Sequence, residues 1–260
     1  MHCQVLASGS KGNVTLLRAG ELSILIDCGL SLRELRARLE TAGLPHRGIG
    51  HVLVTHGHLD HARSAGALAK RHGATLHCAE SNMQNRALSR APTFQALHIG
   101  SETEIAGPNG SPVTYTPALR PHDCDPTVAF RLEHESRVLV ILTDLGHPSR
   151  EVARALRGAH VLILEFNHDQ RMLAEGPYPA PLKRRVSGDR GHLSNEQAAV
   201  MLMALAGPEL HTLVLAHLSA TNNTPEMALE AARGALSRAG LEQVEVLVAS
   251  QDEVGPNLKI

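Results

Sequence analysis

The sequence HGHLDH at 56–61 directly follows HVLVT at 51–55, a short apolar run that is typical of a buried strand. Three imidazoles and one carboxylate therefore stand within six residues. Imidazole together with carboxylate suits zinc, manganese or iron. A tight loop at the end of a strand can direct alternate side chains toward one centre, so this density of ligands predicts a metal site.

Three further candidate ligands stand at the ends of other predicted strands. His122 lies in LRPHDCD after PVTYTPA, Asp144 ends RVLVILTD, and His217 ends TLVLAH. Each residue alone is an ordinary turn residue. Together they supply the second half of a two-metal site, because one loop cannot provide all the ligands that two ions need.

The composition indicates a globular chain with balanced charge. Hydrophobic residues make up 43% of the 260 residues, which is enough to bury a core. The 25 basic and 26 acidic residues nearly cancel, so any binding of nucleic acid is expected to be local. With two Tyr, three Phe and no Trp beside 17 His, base-stacking platforms are not expected to dominate a binding surface.

The N-terminus and the cysteines bear on the compartment. MHCQVLASGS lacks the pattern of a signal peptide, and no apolar run reaches the length of a membrane span. We therefore expect a cytoplasmic protein without a membrane partner. The four cysteines are scattered, which predicts buried thiols rather than disulfides or a thiolate zinc site.

Strands first form a meander and then alternate with helices. CQVLAS, NVTLLRA and ELSILIDCG open the chain as strands. Helices are expected in 31–43, in HARSAGALAKRHG up to Gly73, in 80–90, in SREVARALRG, after Ser194 and after Thr224. This order predicts two mixed sheets that face each other with helices outside. No linker divides the chain, so a single domain over 1–260 is expected, and 175–190 is the longest candidate for a mobile loop.

The ligand pattern resembles that of the metallo-β-lactamase superfamily, and the whole chain resembles its YycJ/WalJ nuclease branch. The phrases that carry the resemblance are LASGSKGN, IDCGLS, THGHLDH, PHDCDP, LTDLG, LEFNHD, YPAPLKRR, GHLSNEQAA and HLSATNN. The resemblance implies an α/β fold, a four-layer αβ/βα sandwich of two mixed β-sheets flanked by helices, with the metals at one edge between the sheets.

The resemblance also implies a division of the ligands between two divalent ions, zinc or manganese, with iron as a further candidate. One ion would be held by His56, His58 and His122, the other by Asp60, His61 and His217, and both by Asp144. Two cations about 3.5–4 Å apart lower the pKa of a bridging water and stabilise charge on a phosphoryl oxygen. Asp60 is also expected to orient that hydroxide.

RGHLSNEQAA at 190–199 places His192 in a loop before a helix that Ser194 and Gln197 open as a capping box. Alone, such a histidine is a solvated or capping residue. In the related RNase Z-like enzymes a strand-end Glu pairs with a His of this kind, which protonates the leaving oxygen. Glu165 ends HVLILEF, so the resemblance implies that His192 is the general acid and Glu165 its partner.

Further residues are candidates for substrate contact, each with a plainer alternative as a packing, turn or solvated residue. They are His168, Ser10, Lys11, Asn13, Lys183, Arg184, Arg185, Asn222 and Asn223.

The residues alone predict a binuclear metallohydrolase. The resemblance implies a two-metal phosphodiesterase acting on nucleic acid, a DNA exonuclease working 5′ to 3′, with RNA left open. One alternative is a hydrolase of small phosphodiesters or thioesters, which a deep closed pocket would favour. Another is a flavodiiron-like redox protein, which would need a carboxylate in place of His58. A third is a metal-binding scaffold without activity.

Overall fold

The computed structural model describes residues 1–45, 47–107 and 110–260. Within these ranges the strands are β1 His2–Ala7, β2 Val14–Ala19, β3 Leu22–Ile26, β4 His51–Leu53, β5 Thr75–Cys78, β6 Thr93–Ala96, β7 Thr103–Gly107, β8 Gly110–Leu119, β9 Val128–His134, β10 Arg137–Leu142, β11 Val161–Glu165, β12 Thr212–Ala216, β13 Glu245–Val248 and β14 Leu258–Lys259. The α-helices are α1 Leu32–Thr41, α2 Leu59–Ala62, α3 Ala65–His72, α4 Arg150–Ala155, α5 Gln170–Glu175, α6 Ala180–Val186, α7 Asn195–Leu205 and α8 Pro225–Arg238.

The strands form two mixed sheets of seven strands each. The first has the order β14-β1-β2-β3-β4-β5-β6 and the second the order β13-β12-β11-β10-β9-β8-β7. Strands β3 to β6 run parallel to one another, as do β10 to β13. Because β8 and β10 are both antiparallel to β9, β8 also ends at the same edge as β10.

Apolar side chains hold four layers together. Leu17 and Ile24 of the first sheet and Phe130 and Leu139 of the second belong to one buried cluster between the sheets. Helices α1 and α3 cover the outer face of the first sheet, and α4, α7 and α8 cover the second. The αβ/βα sandwich expected from the sequence is confirmed. None of the helices in the described ranges is long and apolar enough to cross a membrane.

The predicted helix boundaries hold where capping chemistry marked them. Ser31 and Ser194 each form a capping box with the residue three positions on, Glu34 and Gln197. Helix α3 ends at Gly73, whose φ of 67° is the left-handed conformation that glycine adopts most easily.

Two segment predictions were wrong. The helix expected over 80–90 is a short 3-10 helix, Glu80–Gln84, followed by turns in which the side chain of Asn85 accepts a hydrogen bond from Ala87 N, so local bonding replaces the helix. The irregular stretch expected over 175–190 contains α6, because Pro181 lies in the first turn, where a helix tolerates proline.

Two smaller expectations also need correction. HARSAGALAKRHG belongs to two helices, α2 and α3, rather than one. Of the four free cysteines, Cys124 is only half-buried, whereas Cys3, Cys28 and Cys78 are buried as expected.

Candidate metal centre

Sheet polarity brings the candidate ligands to one place. His122, Asp144 and His217 follow β8, β10 and β12, which end at the same edge of the second sheet. The HGHLDH loop follows β4 of the first sheet. Side chains that are distant in sequence therefore meet between the two sheets.

The seven predicted ligands converge in overlapping groups whose ligand atoms lie within 4.8 Å of one another. The groups are His56 with His58 and His122, Asp60 with His61 and His217, and His56 with His61 and Asp144. Asp144 also forms a group with Glu165, His192 and His217. Two of these groups contain the same three histidines or the same Asp60, His61 and His217 as the predicted ligand sets, and Asp144 belongs to groups with members of both sets.

Hydrogen bonds orient the imidazole rings. His61 Nδ1 lies 2.7 Å from Asp27 Oδ2. His122 Nδ1 lies 3.1 Å from Gly191 O, and His217 Nδ1 lies 2.9 Å from Glu165 Oε1. An acceptor at Nδ1 makes that nitrogen the donor and leaves Nε2 free to bind an ion. All three rings therefore point Nε2 toward the centre, where His61 Nε2 also lies 3.0 Å from Asn13 Nδ2 and His122 Nε2 lies 3.2 Å from Asp123 Oδ1.

The site fits divalent cations by its buried charge. Asp144 Oδ2 and His217 Nε2 are buried without a hydrogen-bond partner among the described residues. Burial alone would lower the pKa of His217, yet the carboxylates of Asp144, Asp60 and Glu165 raise it to about 10. The attraction of these carboxylates for a positive charge is therefore stronger than the effect of burial, which favours the neutral ring. A bound cation would neutralise the same carboxylates.

Burial keeps two histidines of the other predicted ligand set, His56 and His122, in the neutral form. Burial lowers the pKa of His56 well below its usual value, and burial lowers that of His122 to about 4. Both rings therefore keep a lone pair available at neutral pH, as metal binding requires.

Backbone strain and close packing hold the ligand-bearing turns. Asp27, Asp144 and His217 have φ of 60°, 55° and 55°, which costs about 1–2 kcal/mol each for a residue with a side chain. Gly29 packs so tightly against the ligand loop that a Cβ there would lie 1.7 Å from Asp60 O. The glycine of IDCGLS therefore allows the approach of the HGHLDH loop.

Glu165 joins the metal centre to His192. Its carboxylate is fully buried and lies 2.9 Å from Nδ1 of both His192 and His217. It also accepts hydrogen bonds from the backbone N–H groups of Asp144, Leu145 and Leu193. With its lone pairs used in this way, Glu165 positions the two rings rather than binding an ion.

The charge of Glu165 depends on the same contacts. Burial alone would raise the pKa of this carboxyl, but the imidazoles of His192 and His217 hold it below its usual range. Glu165 is therefore a carboxylate at neutral pH and can fix the tautomer of His192.

A cavity of about 500 Å³ opens from the centre to solvent. Its walls include Ser10, His58, Leu59, Asp60, His122, Asp123, Asp144, Tyr178, Leu182, Arg185, Val186, Gly191, His192 and His217. Of the predicted substrate residues, Ser10 and Arg185 line this cavity. Arg184 is exposed on α6, the helix that also carries Arg185. Lys183, on the same helix, donates a hydrogen bond from Nζ to Ala174 O at 2.6 Å.

The other predicted substrate residues have structural contacts instead. Asn13 is buried and its backbone N–H donates to Asp60 O at 2.7 Å, so it holds the ligand loop. Lys11 is exposed and its backbone N–H donates to Gln251 Oε1.

Three more of them are buried in the loops behind the centre. His168 is 2% exposed and Asn222 and Asn223 are 0% and 7% exposed, so they have little surface to offer a substrate. Asn223 donates to Phe166 O and to Asn195 Oδ1, which ties α7 to the neighbouring loops.

Sequence reasoning missed three charged residues at the centre. Asp27 orients His61 and ends its strand as Asp144 does, so the strand-end rule could have found it. Asp123 Oδ1 lies 3.2 Å from His122 Nε2, next to a residue that was already a candidate. Arg120 is buried with a side-chain nitrogen 3.7 Å from Asp144 Oδ2, and nothing in the sequence pattern marked it.

Two mixed sheets packed face to face, with candidate His/Asp metal ligands at one edge, are the architecture of a metallo-hydrolase fold, and the relatives below make the chain a metal-dependent hydrolase. The beta-lactamase superfamily domain matches residues 23–218. The chain belongs to the metallo-β-lactamase superfamily, in its YycJ/WalJ branch.

Relatives and a solved structure agree with this assignment. Exodeoxyribonuclease YycJ of Bacillus anthracis is 32% identical over 239 residues, covering 88% of this chain and 86% of the relative. Exodeoxyribonuclease WalJ of Streptococcus pneumoniae is 31% identical over 230 residues, covering 86% and 84%. The metallo-beta-lactamase fold protein YhfI from Bacillus subtilis superposes with a TM-score of 0.73 at 19% identity, covering 99% of both chains.

Proposed function

We propose that the chain is a two-metal phosphodiesterase that removes nucleotides from the 5′ end of DNA. The observation that carries the proposal is the Glu165–His192 pair beside the metal centre, 2.9 Å apart. A sugar alkoxide is a poor leaving group and needs a proton donor, whereas good leaving groups do not. The DNA substrate is supported by the two exodeoxyribonuclease relatives, which match most of the chain.

The predicted division of ligands gives each ion its own set. His56, His58 and His122 would hold one ion, and Asp60, His61 and His217 the other, with Asp144 in contact with both. Nitrogen and oxygen ligands of this kind suit zinc or manganese. Ions held there would supply Lewis-acid stabilisation of the phosphoryl charge and activate water for attack.

The remaining chemistry belongs to the side chains of the cavity. Asp60 lines it and accepts a hydrogen bond from the attacking water, which aims the water at phosphorus. His192 donates Nδ1–H to Glu165, so the proton to be transferred is on Nε2. That nitrogen delivers the proton to the leaving oxygen.

The shape and charge of the cavity favour a polymer over a small substrate. The cavity opens to solvent beside α6, on which Arg184 and Arg185 are exposed. A strand could continue along this basic helix, while a small diester would use only the centre. The complete ligand set with an acid beside it favours catalysis over a scaffold.

The test is cleavage of end-labelled strands by purified protein with Zn²⁺ or Mn²⁺. We expect single nucleotides to be released progressively from the 5′ end of DNA, and loss of activity with a chelator or in Asp144→Asn. Parallel assays with single- and double-stranded DNA and RNA decide the substrate. Hydrolysis of small diesters or thioesters without cleavage of any strand would refute the proposal in favour of the small-substrate alternative.

A further inference from the structure

One wall of the cavity is apolar although the centre is charged. Leu59 is 61% exposed and lies between the ligands His58 and Asp60. Tyr178 and Leu182 line the same cavity. Ligand pockets are lined largely by apolar side chains that contact apolar parts of the ligand. An apolar wall beside a phosphate site therefore indicates a ligand with an apolar part.

Helix α6 presents this wall without using it for the core. Within α6 no residue is fully buried. Leu182 and Val186 are four positions apart, which puts them on one face of the helix, and both line the cavity. The end of α6 is tied to the general acid, because His192 N donates to Val186 O at 2.9 Å. The wall therefore has a fixed position relative to His192.

Tyr178 is the aromatic member of the wall. The chain has only two tyrosines and no tryptophan. Tyr115 is fully buried between the sheets, whereas Tyr178 is half-buried at the cavity. Aromatic side chains of this kind stack on nucleobases without regard to sequence.

We propose that Tyr178, with Leu59 and Leu182, binds the base of the nucleotide whose phosphate lies at the metal centre. This inference rests on the proposed function and adds a subsite to it. The cavity also carries a basic group beside this wall, because Arg185 of α6 lines it, with Nε donating to Asp123 Oδ2 at 2.6 Å. A nucleotide strand offers flat apolar bases and a repeated negative charge together. Stacking would hold the terminal base while the phosphate enters the centre.

The test uses the protein loaded with Zn²⁺ and labelled with 3-fluorotyrosine, which gives two ¹⁹F resonances, from Tyr115 and Tyr178. A single-stranded oligonucleotide with phosphorothioate linkages at both ends should shift the Tyr178 resonance and leave that of Tyr115 in place. The same strand with abasic sites in its terminal nucleotides should not shift it. Equal shifts with the normal and the abasic strand would overturn the inference.

Kinetics on natural strands give a second readout. Tyr178→Leu should raise KM about 5- to 150-fold, the usual effect of losing one stacked base, with a smaller change in kcat. Tyr178→Phe should retain the wild-type KM. On the abasic strand, Tyr178→Leu should cause no further loss, as expected when enzyme and substrate changes remove the same contact.

Leu59→Ala should raise KM by a few-fold, and Val200→Ala is its matched control. Val200 is 51% exposed on α7 and is not among the cavity residues. If the wild type cleaves DNA but Tyr178→Leu loses equally on normal and abasic strands, the subsite is refuted and the proposed function stands. If the wild type neither binds nor cleaves any strand, the proposed function itself fails.

Discussion

Replacing His192 by Ala tests the general acid directly. The substitution removes one of the five hydrogen bonds that Glu165 accepts within the described residues and leaves the other four in place. The fold and the orientation of His217 should therefore persist. A bond to a charged group contributes about 1.5–3 kcal/mol, so we expect a lower melting temperature but a folded protein.

The expected kinetic loss follows from the exposure of the ring. A positioned proton donor contributes about 10²–10⁴ in rate, or about 2.7–5.4 kcal/mol of barrier. The His192 side chain is 21% exposed in a cavity open to solvent, so water can partly replace it. We therefore expect DNA cleavage by His192→Ala to fall toward the lower end, about 10²–10³.

The assay compares two leaving groups. DNA releases an alkoxide, whereas bis(p-nitrophenyl) phosphate releases a nitrophenolate that departs without a proton. His192→Ala should lose far less on the second substrate, with unchanged metal content. His134→Ala is the matched control, because His134 ends β9 at the opposite edge of the sheet from the candidate ligands. Its Nδ1 makes a hydrogen bond to Pro112 O, away from the metal centre. Equal losses on both substrates would show that His192 binds metal or phosphate, and no loss on either would make it a bystander.

Metal analysis of protein reconstituted with excess Mn²⁺ or Zn²⁺ should give two ions per chain, and saturation at one would remove Asp144 as a shared ligand. His58→Ala should reduce cleavage by more than about 100-fold, because losing a ligand costs more activity than losing a residue that orients a ligand, which typically costs about 10- to 100-fold. Normal activity with normal metal content would exclude the HGHLDH loop as the centre. Replacing all three residues of 183–185 by Gln should raise KM for DNA. It should also reduce the slope of the logarithm of the DNA-binding constant against the logarithm of the salt concentration by about 0.7–0.9 for each lost phosphate contact. An unchanged slope would leave these residues as a solvated surface. Glu165→Gln should show the same dependence on leaving group as His192→Ala, and a melting temperature equal to that of the wild type would contradict the buried hydrogen bonds of its carboxylate.

The convergence of the candidate ligands could be predicted from the sequence because their signal is local. A strand followed by His or Asp is visible in the sequence, and the polarity of the sheets then determines which strand ends meet. Asp144 and His217 were proposed as ligands in this way. Asp27 satisfies the same rule, because it directly follows β3, but it was not among the predicted site residues.

The substrate side could not be predicted in the same way. Asn222 and Asn223 stand close in sequence to His217, yet both are buried against neighbouring loops. Tyr178 is far from every ligand in sequence but lines the cavity because α6 packs over the centre. Which residues face a substrate depends on how loops and short helices pack together, and residue type gives little information about that packing.

Glu165 shows what the fold adds to the predicted pair of Glu165 and His192, whose side chains lie in contact. The sequence related Glu165 to His192 alone, but Glu165 Oε1 lies 2.9 Å from the rings of both His192 and His217. The ring proposed to donate a proton and the ring proposed to bind an ion therefore share one acceptor atom. Since a cation at His217 would compete for the negative charge that also orients His192, we expect metal binding and proton donation to be electrostatically linked. A change at either histidine should therefore be measured for both metal affinity and leaving-group dependence.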